Sequence, residues 1–162
     1  MRAMSAPRVG EELPRLAIPV TRTLIVAGAI ASRDYQDVHH DAEAARDKGS
    51  PDIFMNILTT GGLVGRYVTD WAGPGSELRG LAIGLGAPNH PGDTMTLTGS
   101  VTEVAEGTAV VSVTGRNRLG DHVTGTVTVL LNGEPDGSGR ARCAPGGPAG
   151  AGSAPAGAEA PR

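Results

Sequence analysis

Ala31-Ser32-Arg33-Asp34-Tyr35-Gln36-Asp37-Val38-His39-His40-Asp41 sets three aspartates and two histidines within eleven residues. Before it lies an apolar run, Thr23 to Ile30, and after it a helix-like segment from about Asn56 to Trp71. A carboxylate and an imidazole that reach one water or one substrate proton make an acid–base pair. Asp34 and His39 stand five apart, too far for adjacent side chains on a strand, so a turning loop has to bring them together. This loop is the candidate active site, and what flanks it decides the fold.

Upstream, the β-branched and small apolar residues of Thr23 to Ile30 read as a buried strand. Before that, Leu16, Ile18 and Val20 alternate as on a half-buried strand. Pro14 and Pro19 lack ladder donors and make this an edge strand or an extended arm. Downstream, Asp41 to Lys48 is Ala-rich and suits a short helix with Asp41 as cap or dipole partner. Gly49-Ser50-Pro51-Asp52 is a turn. The long helix starts either there, with Ser50 as cap and Pro51 in the first turn, or at Asn56 as cap, which leaves Ile53-Phe54 extended. Ile57, Leu58, Val64, Val68 and Trp71 recur at helical spacing, and Gly73-Pro74-Gly75 ends the helix. Gly61, Gly62 and Gly65 lie inside it, each costing about 1 kcal/mol relative to Ala. That cluster predicts a close approach by another backbone or by a ligand.

The remainder is β. Leu81, Ile83, Leu85 and Ala87 alternate with Gly80, Ala82, Gly84 and Gly86, giving one bulky and one nearly bare face. Three further segments follow, from Thr94 to Val101 with a bulge expected at Gly99, from Thr108 to Thr114, and from Val123 to Leu131. Their turns are Asn89–Asp93, Ala105–Gly107 and Asn117–Asp121, so an antiparallel meander is expected. The expected class is α+β, a curled antiparallel sheet wrapped around one long central helix. Such a sheet leaves an edge and a face uncovered, so pairing with another chain is expected.

The chain's 162 residues suffice for one domain. Residues 1–13 read as a flexible N-terminus, 14–131 as the folded domain and 132–162 as a disordered Gly/Ala/Pro-rich tail. The net charge is −3 and no two Lys or Arg residues are adjacent, which argues against nucleic acid or an anionic membrane as a partner. The longest apolar run, Leu24 to Ala31, is too short to span a bilayer, and the N-terminus lacks the pattern of a signal peptide. The single cysteine, Cys143, fits a reducing cytoplasm. Tyr67 and Trp71 lie on the long helix, Phe54 precedes it, and Tyr35 sits in the loop, so the few aromatics gather beside the candidate site.

Together these residues resemble the hotdog-fold MaoC-like (R)-specific enoyl-CoA hydratases, whose signature sets an Asp, four residues, a His, and a small residue six positions later. Here those are Asp34, His39 and Ala45; Val38 keeps the aliphatic residue before the His, while Gln36-Asp37 replaces the family's frequent Asn-Pro. Four blocks resemble more specifically the small catalytic subunits of actinobacterial heteromeric steroid side-chain enoyl-CoA hydratases. They are Asp34 to Asp41, Asp52 to Thr59, Arg66 to Trp71, and Gly115 to Asn117.

The resemblance implies a hydro-lyase that adds water across the C2–C3 double bond of a 2-enoyl-CoA. Asp34 and His39 would hold and deprotonate the water, with the base left open between them. The backbone amides of Asn56 or Ile57 would meet the developing thioester oxyanion. Arg66 and Arg116, with Arg79 and Arg118 behind them, are the candidates for CoA phosphates. No cofactor is implied, since coenzyme A is part of the substrate. The implied partner is a second MaoC-like subunit or a second copy of the chain. His40 reads as a surface histidine, Asp37 as a solvated or turn-stabilising carboxylate, and a metal site from His39, His40 and Asp41 lacks a fourth ligand. The competing readings are a homodimeric fatty enoyl-CoA hydratase, a thioesterase, and a non-catalytic hotdog module that binds acyl thioesters or stabilises a partner.

Overall fold

Where an edge strand and an Asp/His loop are expected before one long helix, a computed structural model gives the arrangement for residues 6–131. The expected tail lies outside the described residues. Strand β1 (Leu16–Pro19) leads to helix α1 (Arg22–Ala31), a single 3₁₀ turn (Asp37–His39), helix α2 (Ala42–Asp47) and helix α3 (Ile57–Ala72). Four strands follow, β2 (Glu77–Leu85), β3 (Thr94–Ala105), β4 (Thr108–Asn117) and β5 (Gly120–Leu130). All pairings are antiparallel and the order is β1-β3-β4-β5-β2, so β1 and β2 are edges.

Thr23 to Ile30 is helix, not strand. Thr21 caps it, its Oγ1 accepting from the Leu24 amide at 3.0 Å. Ile25 and Ala29, one turn apart, are its buried face. β-branched content is a weak prior that such packing overrides. α3 begins at Asn56 as cap, and Ile53-Phe54 lies outside any helix, between α2 and α3.

α3 packs against β2 and β5 and buries Thr60, Val64, Tyr67 and Val68. Leu97, Val101, Val111, Val127 and Val129 meet it from the sheet. Tyr67 lies over Gly99, where an added Cβ would sit 3.3 Å from the ring. Gly99 therefore gives room to an aromatic and is not the bulge, which falls between Val101 and Glu103. The three helix glycines do not meet another backbone within this chain. A Cβ on Gly61 or Gly65 would find Leu78, Leu81 or Ile83 side chains at 3.5–3.9 Å, and one on Gly62 would find nothing within 4 Å. The lead-in expected to be flexible is tied down from Gly10 onward: Gly10 donates to Val101 O at 2.8 Å and Leu13 to Gly99 O at 2.9 Å. Among the described residues no helix is long and apolar enough to cross a membrane.

Candidate active site

α1 ends in a tight motif. The amides of Arg33 and Asp34 donate to Ile30 O at 3.0 Å and Ala29 O at 2.9 Å. These are the two reverse bonds of a Schellman cap, with Arg33 at the left-handed position, φ 57°. Asp34 thus leaves the helix in a fixed direction. The 3₁₀ turn then carries His39 back towards it. His39 Nδ1–H donates to Phe54 O at 2.7 Å, which leaves Nε2 facing Asp34 Oδ2 at 3.3 Å. Phe54 packs edge-on against the imidazole, with ring centroids 5.1 Å apart. The His39 side chain is 7% exposed and that of Asp34 18%, so the pair borders solvent without being open to it.

Asn56 joins the pair to α3. Its Oδ1 accepts from the Thr59 amide at 2.9 Å and caps the helix. Its Nδ2 donates to Ser32 Oγ at 2.9 Å and to Asp34 Oδ2 at 3.0 Å. Ser32 Oγ–H in turn donates to Gly28 O at 2.7 Å. The hydrogen bond from Asn56 holds the Asp34 carboxyl below its ordinary range, helped by the Gln36 amide and by His39.

These groups line a cavity of about 360 Å³, with Asp34, Gln36, His39, Asn56 and Ile57 on one side and Leu85, Gly86, Pro88 and His122 on the other. The amides of Asn56 and Ile57 belong to the start of α3, where helical amides have no intrahelical acceptor. Of the bare β2 face, Gly86 reaches the cavity and Gly80 and Gly84 do not. Arg66 and Arg116 do not line it either. Arg66 pairs with Asp70 at 3.2 Å and Arg116 with Asp121 at 2.8 Å, both on the surface. Arg79 pairs with Glu77 and Arg118 with Asp93. His40 is exposed, Asp37 pairs with Lys48, and Asp41 Oδ1 caps α2 through the amides of Glu43 and Ala44.

His122 was not singled out in the sequence. It is 1% exposed on β5, donating Nδ1–H to Ala87 O at 2.7 Å and setting Nε2 2.9 Å from Thr60 Oγ1. Burial lowers its pKa from 6.5 and keeps the ring neutral. A lone histidine beside Val123 in a Val/Thr strand was the available signal. Asn56 is expected as a helix cap and as an oxyanion amide, but the donation of its side chain to Ser32 and Asp34 is not foreseen.

A five-stranded antiparallel sheet around one long helix, with an Asp/His pair at the helix's N-terminal end, is the hotdog architecture. The chain belongs to the MaoC-like family: the model of the MaoC like domain matches residues 5–123. It is 54% identical over 123 residues, 76% of this chain and 95% of the relative, to the 3-oxo-4,17-pregnadiene-20-carboxyl-CoA hydratase beta subunit of Mycobacterium tuberculosis. Among solved structures, it is similar to the ChsH1-ChsH2 complex from Mycobacterium tuberculosis, with TM-score 0.76 and 51% identity over 77% of this chain and 98% of that one. It shares the fold of the (R)-hydratase from A. caviae involved in PHA biosynthesis, with TM-score 0.70 and 23% identity over 80% of this chain and 100% of that one.

Proposed function

We propose that the chain is the catalytic subunit of an enoyl-CoA hydratase acting on a steroid side-chain thioester. The observation that carries this reading is the 3.3 Å approach of His39 Nε2 to Asp34 Oδ2 at a cavity beside the first turn of α3. A water held by both groups loses a proton as its oxygen adds at C3, and C2 takes a proton in turn. The thioester oxygen, on which negative charge develops, meets the amides of Asn56 and Ile57. No cofactor enters this chemistry.

The reading includes a second MaoC-like subunit, as in the complex of the 51%-identical relative. A cavity of about 360 Å³ is near the lower bound for a small-molecule site and does not hold a steroid nucleus and coenzyme A together. Among the described residues the outer edge of β2 is unpaired, and Leu78, Leu85, Ile57 and Leu58 are 41–55% exposed, which supports a partner completing the site. A cytoplasmic location goes with the CoA thioester and with the single cysteine.

The test is co-expression with a MaoC-like partner chain and assay of hydration of 3-oxo-4,17-pregnadiene-20-carboxyl-CoA. Asp34→Asn and His39→Ala should each lower the rate by about 10²–10⁴-fold. Full activity in both variants would remove the catalytic assignment, and full activity of this chain alone would remove the partner.

A further inference from the structure

We propose that the Asn56 side-chain amide is the positioning group that fixes Asp34 Oδ2 against His39 Nε2 and thereby gives the proton-carrying role to His39. The inference rests on the hydratase reading above and concerns how that site divides its labour.

The amide orientation is settled by the helix. The Thr59 amide can only donate, so the atom 2.9 Å from it is Oδ1, and Nδ2 must face Ser32 and Asp34. Both ends of the amide are then engaged: Oδ1 accepts from Thr59, and the two Nδ2 hydrogens go to Ser32 Oγ and Asp34 Oδ2. Asn56 is 3% exposed, so water does not compete for these bonds. One side chain ties the end of α1, the catalytic loop and the start of α3 into a single unit.

The consequence for the proton follows from the same contacts. Asp34 accepts at both oxygens, from Asn56 Nδ2 at Oδ2 and from the Gln36 amide at Oδ1, 3.4 Å away. A proton placed on Oδ2 would oppose the Asn56 N–H already there. His39 commits Nδ1–H to Phe54 O, so the free lone pair is on Nε2, 3.3 Å from Asp34 Oδ2 at the cavity both residues line. The O–H bond of water therefore breaks towards Nε2 while oxygen bonds to C3. The C2–C3 π pair moves to C2 and the thioester, and Nε2–H then delivers its proton to C2, so the sum is one water added. The imidazolium formed between these steps lies beside an ionised Asp34. The ionisable group directly facing the Asp34 carboxylate is His39; His122 lines the same cavity from β5, and Asp37 is occupied by Lys48.

Asn56→Asp separates positioning from architecture, because an aspartate keeps the cap acceptor, loses the donor and sets a second carboxylate beside Asp34. In the co-expressed complex its kcat should fall about 10²-fold with KM little changed. The acid limb of its kcat/KM profile should move up by about one unit or more. The exchange variant, Asp34→Asn with Asn56→Asp, rebuilds the pair with donor and acceptor reversed. It should recover the thermal midpoint lost by the single variants while remaining inactive. Wild-type kcat and pH profile in Asn56→Asp would overturn the proposal, as would activity lost with the acid limb unmoved. Midpoint losses that simply add in the exchange variant would show that the pair makes no bond. A wild-type complex that hydrates no enoyl-CoA would overturn the hydratase reading instead, while the midpoints still test the Asn56–Asp34 contact.

Discussion

Gly28→Ala tests whether the site depends on how α1 is seated on α3. A Cβ built on Gly28 would lie 2.2 Å from Thr59 Oγ1, 2.7 Å from Thr59 Cγ2 and 3.0 Å from Thr59 Cβ. Rotating Thr59 moves the first two atoms but not the third, so the conflict persists in every rotamer. Carbon atoms pack at about 3.5–4.0 Å, so even with Thr59 turned the helices must separate by roughly 0.5–1 Å. Alanine gains about 1 kcal/mol of helix propensity over glycine, while overpacking costs about 1–3 kcal/mol, so the net loss lies between about 0 and 2 kcal/mol. We expect the upper end, because the obstacle includes an atom that cannot turn away. The effect on rate should be larger. Ser32 and Asp34 ride on the end of α1, and their bonds from Asn56 measure 2.9 and 3.0 Å. A shift of about 1 Å breaks them, and misplacement on that scale costs about 10²-fold in rate. Urea denaturation reads the first effect, and hydration by the co-expressed complex reads the second. Thr59→Ala in the same chain removes Oγ1 and Cγ2, leaves the 3.0 Å approach to Cβ, and should restore part of both. Stability and rate at or above wild type in Gly28→Ala would refute the close seating. Lost stability with an unchanged rate per folded complex would refute its link to catalysis.

Two further substitutions probe the same region. Arg33 holds φ 57° at the end of α1, a conformation that costs an L-residue about 1–2 kcal/mol and that glycine adopts freely. Arg33→Gly should therefore raise the unfolding free energy by about 1 kcal/mol, seen as a higher urea midpoint with the slope unchanged; an unmoved midpoint would mean the loop holds that conformation without cost. His122 is buried neutral, its folded pKa depressed below 6.5, so the unfolded chain takes up a proton before the folded one does. The stability from the neutral ring is complete above about pH 6.5 and is lost as pH falls through the folded value. His122→Gln should flatten the fall of the thermal midpoint below pH 6.5, and parallel curves for the two proteins would contradict this.

The strands and the long helix were legible because their signals are local. Alternation and turns marked β2 to β5; spacing marked the helix, while its start, open between Ser50 and Asn56 in the sequence, is decided by the Asn56 side chain meeting the Thr59 amide. The Ala105–Gly107 turn was legible for the same reason, and Glu106 and Gly107 both take positive φ there, as a tight hairpin requires. α1 was not legible, because its composition and its environment disagree. Leu24, Ile25, Val26 and Ile30 favour a strand in isolation, yet the run lacks the alternation a half-buried strand would show. What makes it a helix is Thr21 before it and the groove on α3 that Gly28 fits, and that groove is formed by residues thirty positions away.

The same distinction explains which part of the site could be read. The spacing from Asp34 to His39 is a local fact, and the chain's turn brings the two side chains to 3.3 Å. What holds them there is not local: Phe54 O orients His39 from fifteen residues away, and Asn56 holds Asp34 from twenty-two. A reading that considers only the backbone at a helix start finds amides for an oxyanion and stops there. An asparagine at that position adds two donors, and in this fold both are aimed back at the loop. The cost is that a side chain held by three hydrogen bonds cannot turn to follow a substrate. Adjustment to a bulky acyl group must then come from the opposite wall, where Leu85, Gly86 and Pro88 lie at the end of the edge strand β2. That wall also borders the unpaired edge and is where a partner subunit would act. On the proposed function, the rigid side of the cavity would carry the proton chemistry and the side open to a second chain the fit to the substrate.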